Sequence, residues 1–250
     1  MHDVTYFVSH SIEEVKSGPA ESWIYAIRVE CWYMTDEDRI ARQESVEGND
    51  LPDAAIAEVF DAYERVIPLP KAPGVKPWIL CVVGLVGAGK TTVVKPVSER
   101  LGLARVSSDE LRVLLRDRGY NFLRTRELAK MLIEKYLRQG FGVSIDADNV
   151  DPEHQAILQK AADAAQIPNI RIHINPPEAF ILDKLQNRIQ YVPSGILENA
   201  DAAIANYFRR KPLHEKYLSL ITFDWVFDTS KDNLARQIDD FVTAMHGRGF

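Results

Sequence analysis

Gly84-Leu85-Val86-Gly87-Ala88-Gly89-Lys90-Thr91 is the stretch on which the fold turns. Its spacing, glycine, four residues, then Gly-Lys-Thr, is that of a Walker A phosphate loop. A triphosphate tail is a dense negative charge that needs many donors at close range. Glycines let successive backbone N–H groups turn inward with no Cβ in the way. A helix opening directly after the loop adds its free N–H groups and the positive end of its dipole. Lys90 supplies a full charge for the β- and γ-phosphates, and the Thr91 hydroxyl is a ligand for Mg²⁺. Gly84, Gly87, Ala88, Gly89, Lys90, Thr91 and Thr92 are therefore the expected ATP-binding residues.

The flanks agree with this reading. Trp78 to Val83 is a short apolar run of the kind that makes a buried strand, and a helical pattern follows from about 90 to 101. Pro96 falls inside that helix, where a kink and a lost backbone bond are expected beyond the first turn. Further along, strand patterns at 104–107, 142–146, 170–174 and 223–227 alternate with helical patterns near 128–138, 153–165, 178–190 and 233–245. Strands alternating with helices pair in parallel. The expected fold is α/β, a P-loop NTPase with an open parallel sheet of about five strands and helices on both faces.

Upstream, Ile67 to Pro77 holds four prolines in eleven residues, which excludes a helix or a central strand. It reads as an extended linker at 68–77 between an N-terminal extension, 1–67, and a main domain, 78–250. Within the extension, Ile56, Val59, Phe60, Tyr63 and Ile67 recur at helical spacing, so 53–66 is expected to be an amphipathic helix. Trp23 to Tyr33 fits a strand and a helical stripe equally well. The extension carries no chemical motif.

Composition narrows the classes. A net charge of -6 argues against a large polyanion-binding surface. Two cysteines, Cys31 and Cys81, give no disulfide framework or zinc spacing. No apolar run reaches the ~18 residues of a membrane span, and the N-terminus lacks a secretory pattern. A cytoplasmic location is the expectation.

Three constellations go beyond nucleotide binding. Asp109 and Arg112 stand three residues apart at a helix start just after a strand, so they share a face at the carboxyl edge of the sheet. A carboxylate there can take a proton from an attacking hydroxyl, and the arginine can hold an anionic part of the acceptor. The plain alternative is an ordinary helix start capped by Ser108 or Asp109. Next, Gly142 to Asp146 is an apolar strand ending in carboxylates. A Walker B aspartate belongs there, holding magnesium opposite Thr91. Asp146 takes that place, with Asp148 the competing position or a residue of the turn before the next helix. Last, Asp183, Lys184 and Arg188 lie on one helical region. Arg188 is the candidate for a closing cation over the γ-phosphate, against a plain solvated face. Phe208-Arg209-Arg210-Lys211 reads as a basic surface helix end, and Ser230 as the cap of the last helix. His173, alone in a strand, reads as structural.

The order Gly84–Thr91, Asp109-x-x-Arg112, Asp146-Ala-Asp-Asn149, Arg188 resembles the P-loop kinases of the zeta-toxin and polynucleotide-kinase-like group over residues 78–246. The resemblance implies transfer of the γ-phosphate of ATP to a hydroxyl, with Asp109 as base or orienting residue and Lys90, Thr91 and Asp146 serving ATP and magnesium. A small-molecule or nucleotide-like acceptor is expected rather than a long nucleic acid. The competing readings are a nucleoside-monophosphate kinase and an ATPase switch or ATP-binding interaction module. No Asn/Thr-Lys-x-Asp guanine motif is present.

Overall fold

Five consecutive apolar residues, Ile79–Val83, form strand β1, and every one of them is buried. Burial on both faces requires partners on both edges. β1 pairs in parallel with β3 (Val143–Asp146) on one side and with β4 (Asn169–Ile174) on the other. Among the described residues β2 (Ala104–Ser107) pairs only with β3, and β5 (Trp225–Phe227) only with β4, so the five-stranded order is β2-β3-β1-β4-β5. The computed structural model describes residues 48–187 and 200–250. Arg188 lies outside the described residues, as do 23–33.

Alternate side chains of β1 serve two cores. Leu80 and Val82, with Ile172 and Ile174 of β4, meet helix α2 (Lys90–Leu101) through Val93, Val94 and Val97. The same face takes α6 (Glu178–Asn187), α7 (Ala200–Leu218) and α8 (Leu234–Gly247). Ile79 and Cys81 face the second core, built by α1 (Ile56–Val66), α3 (Ser108–Arg116), α4 (Thr125–Arg138) and α5 (Pro152–Ala165). Helices thus cover both faces of a parallel sheet, as the alternation of patterns requires.

Helix α1 is a full member of the second core. Val59, Ala62 and Tyr63 are buried against Val106, Leu111 and Leu115. Polar contacts reinforce the helix and the segment before it. Lys135 Nζ donates to Glu64 at 2.6 Å, Arg124 reaches Leu51 O at 2.8 Å, and Asn121 Nδ2 reaches Asp50 at 2.6 Å. The chain then runs through the proline-rich stretch to β1.

Several local expectations need correction. Ser107, not Ser108 or Asp109, caps α3, its hydroxyl accepting from Glu110 N–H at 3.4 Å. Ser230 does not cap α8. It is held by Asp228, and Asn233 precedes the helix without a side-chain cap bond. The basic run 208–211 lies in the middle of α7, not at an end. That helix has a mixed pattern and an internal Pro212, so its apolar face is weak in the sequence. The last strand is shorter than 223–227 because Asp224 turns back to accept the Arg171 N–H at 2.9 Å.

Candidate nucleotide and phosphoryl-transfer site

The loop between β1 and α2 needs backbone that other residues resist. Gly87 and Gly89 sit at φ +80° and +94°. A Cβ on Gly87 would lie 2.9 Å from Leu185, and one on Gly89 3.2 Å from Thr229. Helix α6 and the turn after β5 therefore close tightly on the loop. Thr229 also clamps it, its hydroxyl donating to Ala88 O at 2.6 Å. Lys90 folds over the loop, its ammonium donating to Gly84 O at 2.7 Å and Leu85 O at 3.1 Å. Thr91 and Thr92 open α2 with exposed side chains.

Because β3 lies beside β1, its terminal Asp146 comes directly to Thr91. The Thr91 hydroxyl donates to the Asp146 carboxylate at 3.0 and 3.3 Å. Asp146 is 4% exposed. Burial pushes its carboxyl above the usual range, against the charges of Arg105 and Lys90 and the Thr91 bond, which pull it down. Arg105 Nη1 donates to Asp146 Oδ2 at 2.8 Å, and this pair is nearly closed from solvent. A hydroxyl and a carboxylate this close are hard oxygen donors of the kind a small divalent cation takes. Among the described residues no cluster of three or more His, Cys, Asp or Glu could hold a metal by itself.

Asp148, the competing carboxylate, is engaged elsewhere. Its Oδ1 accepts the Gly84 N–H at 3.2 Å, and its Oδ2 lies 3.2 Å from His214 Nδ1. Burial raises its carboxyl, but the His214 bond and charge, with Lys90 and Arg210, bring it below the ordinary value. Asp148 thus ties the first glycine of the loop to α7. Asn149 ties the same turn to β1, its Nδ2 donating to Val82 O at 2.8 Å.

Asp109 and Arg112 pair on α3, Nη1 to Oδ1 at 2.8 Å, with the Asp109 side chain 54% exposed. Asp109 lies near enough to Asp146 for its charge to raise that carboxyl. The structure therefore brings Lys90, Thr91, Asp146 and Asp109 to the carboxyl edge of three adjacent strands, the edge where open α/β sheets hold ligands. Sequence reasoning missed Arg105, Thr229 and His214. Arg105 left a signal, a charge between Ala104 and Val106 in a short strand. Thr229 and His214 left none, because only the fold brings Thr229 to the loop and His214 to Asp148. His173 is structural, buried and stacked 4.7 Å from Phe223.

This sheet and loop define a P-loop NTPase of the α/β class. A family model described as an AAA domain matches residues 79–209, more than half of the chain, and the chain belongs to that family. No curated protein matches it. Several solved structures resemble it distantly. The APS kinase CysC of Mycobacterium tuberculosis, in complex with AMPPNP and APS, is 17% identical with a TM-score of 0.45, over 70% of this chain and 99% of that one. The shikimate kinase of Acinetobacter baumannii in complex with shikimate is 16% identical with a TM-score of 0.40, over 74% and 97%. The PezAT toxin-antitoxin structure of Streptococcus pneumoniae is 16% identical with a TM-score of 0.49, over 73% and 81%.

Proposed function

We propose that this chain is an ATP- and magnesium-dependent phosphotransferase acting on a hydroxyl of a small-molecule or nucleotide-like acceptor, in the manner of the zeta-toxin and polynucleotide-kinase-like enzymes. The observation that carries this is the placement of the Asp109–Arg112 pair beside a phosphate loop whose Thr91 already meets Asp146. A loop that only bound nucleotide would need no half-exposed carboxylate just past the end of β2, two strands away.

In this reading Lys90 exchanges the carbonyls of Gly84 and Leu85 for the β- and γ-phosphate oxygens. Thr91 and Asp146 would hold magnesium, which when bound neutralises charge on the phosphates. Asp109 takes the proton of the acceptor hydroxyl as the new O–P bond forms and the bond from the γ-phosphorus to the bridging oxygen breaks, releasing ADP. Arg112 orients that carboxylate and has further N–H groups for an anionic part of the acceptor. Asp109 would repel a phosphate acceptor, which favours a hydroxyl over a nucleoside monophosphate. Arg188 is the proposed closing cation.

The test is ADP release from purified protein with magnesium and ATP, with and without a panel of hydroxyl-bearing metabolites and nucleotides. Acceptor-dependent release is expected. Lys90→Ala should lower kcat/KM at least about a hundredfold. Asp109→Asn should lower kcat by roughly a hundredfold or more while ATP affinity changes little. Hydrolysis that needs no acceptor and survives Asp109→Asn would replace the transferase with an ATPase switch.

A further inference from the structure

Among the described residues, strand β2 is an edge strand, paired on one side. Ala104 N–H donates to Gly142 O at 2.8 Å, so the backbone groups of Ala104 and Val106 face β3. Backbone groups alternate sides along a strand, so those of Arg105 and Ser107 face away from the sheet. An edge left this way must find other partners if it is buried. Here one side-chain oxygen serves. The Tyr63 hydroxyl donates to Arg105 O at 3.2 Å and accepts the Ser107 N–H at 2.6 Å. A neighbouring strand would offer a C=O and an N–H at that place; Tyr63 does both with a single O–H. The residue is fully buried, and burial raises its phenol well above the ordinary value, so the proton stays on the oxygen.

Both anchored residues lead into the site. Arg105 carries the guanidinium that meets Asp146. Ser107 caps α3, which presents Asp109 and Arg112. Fixing the backbone at these two positions fixes where the arginine lands and how the helix leaves the strand.

We propose that Tyr63 is a positioning residue for the acceptor side of the site, its hydroxyl taking the place that a neighbour strand would fill at the exit of β2. This rests on the phosphotransferase reading above and gives α1 a task in it. The helix holds the elements that carry Asp109 and Arg112 in register with the phosphate loop.

Tyr63→Phe keeps the ring and removes only the O–H. The measurements are amide hydrogen exchange at Ser107, ATP affinity by calorimetry with magnesium, and kcat and KM for the acceptor found in the panel. Val59→Ala, on the same helix and buried in the same core, serves as the control that loosens α1 without touching the hydroxyl. In Tyr63→Phe, Ser107 exchange should quicken at least about tenfold and kcat should fall about tenfold, with ATP affinity within about twofold of the parent. Val59→Ala should leave kcat near the parent value at temperatures where it is folded. An unchanged Ser107 exchange rate or an unchanged kcat in Tyr63→Phe overturns the positioning role alone. An equal loss of kcat in both variants also overturns it, since α1 would then act through stability. A parent protein without transfer activity overturns the phosphotransferase reading and this one with it.

Discussion

His173 shows how a single side chain records its surroundings. It lies in β4, stacked on Phe223, with the His214 ring centroid 6.1 Å away. Burial lowers its pKa from 6.5 to about 4, helped by His214 and opposed by Asp148. The folded value is below the unfolded one, so the unfolded chain binds this proton first as pH falls. The contribution of His173 is complete above about 6.5 and is lost as pH drops towards 4. The loss over that interval is up to roughly 3 kcal/mol. Urea unfolding of the parent and of His173→Asn at pH 7 and at pH 4.5 should show a smaller acid-side fall in the variant. Equal falls would mean that the imidazole is not held neutral. The same residue scale holds Asp146 and Asp148. The sequence offered both as candidates for the proposed magnesium carboxylate. Their distinction comes from partners far along the chain, Thr91 for one and Gly84 with His214 for the other.

Among the elements, α2 carries an internal contradiction. Pro96 occupies its second turn, yet the helix runs on to Leu101 and ends at Gly102 in a left-handed cap. Proline has no N–H for the Thr92 carbonyl, and its ring crowds that turn. The helix survives because Val93, Val94 and Val97 bury its inner face and because Ser98 bonds both Val94 O at 2.6 Å and the Ser144 hydroxyl at 2.7 Å. Pro96→Ala should therefore raise unfolding free energy by about 1 to 3 kcal/mol, seen as a higher urea midpoint with an unchanged slope. A lower midpoint would mean that the proline itself is needed for packing. Most elements were legible because their periodicity is strong. β1, α2, α4 and α5 are runs whose apolar spacing matches their buried faces. Helix α7 was not legible, since Ala200, Ala203, Tyr207 and His214 make a sparse buried stripe interrupted by charges and Pro212.

For the molecule as a whole, the decisive feature is where α1 sits. Leu51, Val59, Ala62, Tyr63 and Ile67 are all buried in the core on the α3–α4 side of the sheet. Burying five such side chains contributes roughly 10 kcal/mol, comparable with the entire stability of an ordinary domain. A chain begun at residue 78 should lose cooperative unfolding and expose apolar surface, measured by urea titration and dye binding. A sharp transition with the full chain's midpoint would show that residues 51–67 are dispensable. By itself, the sequence determined the phosphate loop, the alternation that makes a parallel sheet, and the strand-end carboxylates. These are local patterns, each written within a few adjacent residues or one repeat of spacing. Only the tertiary structure decided that β3 rather than β2 lies beside β1, that Arg105 neutralises Asp146, that Asp148 belongs to His214, and that Tyr63 closes the open edge of β2. Those contacts join residues 40 to 70 positions apart. Strand order and helix docking set them, and no short-range pattern of residue types encodes either one.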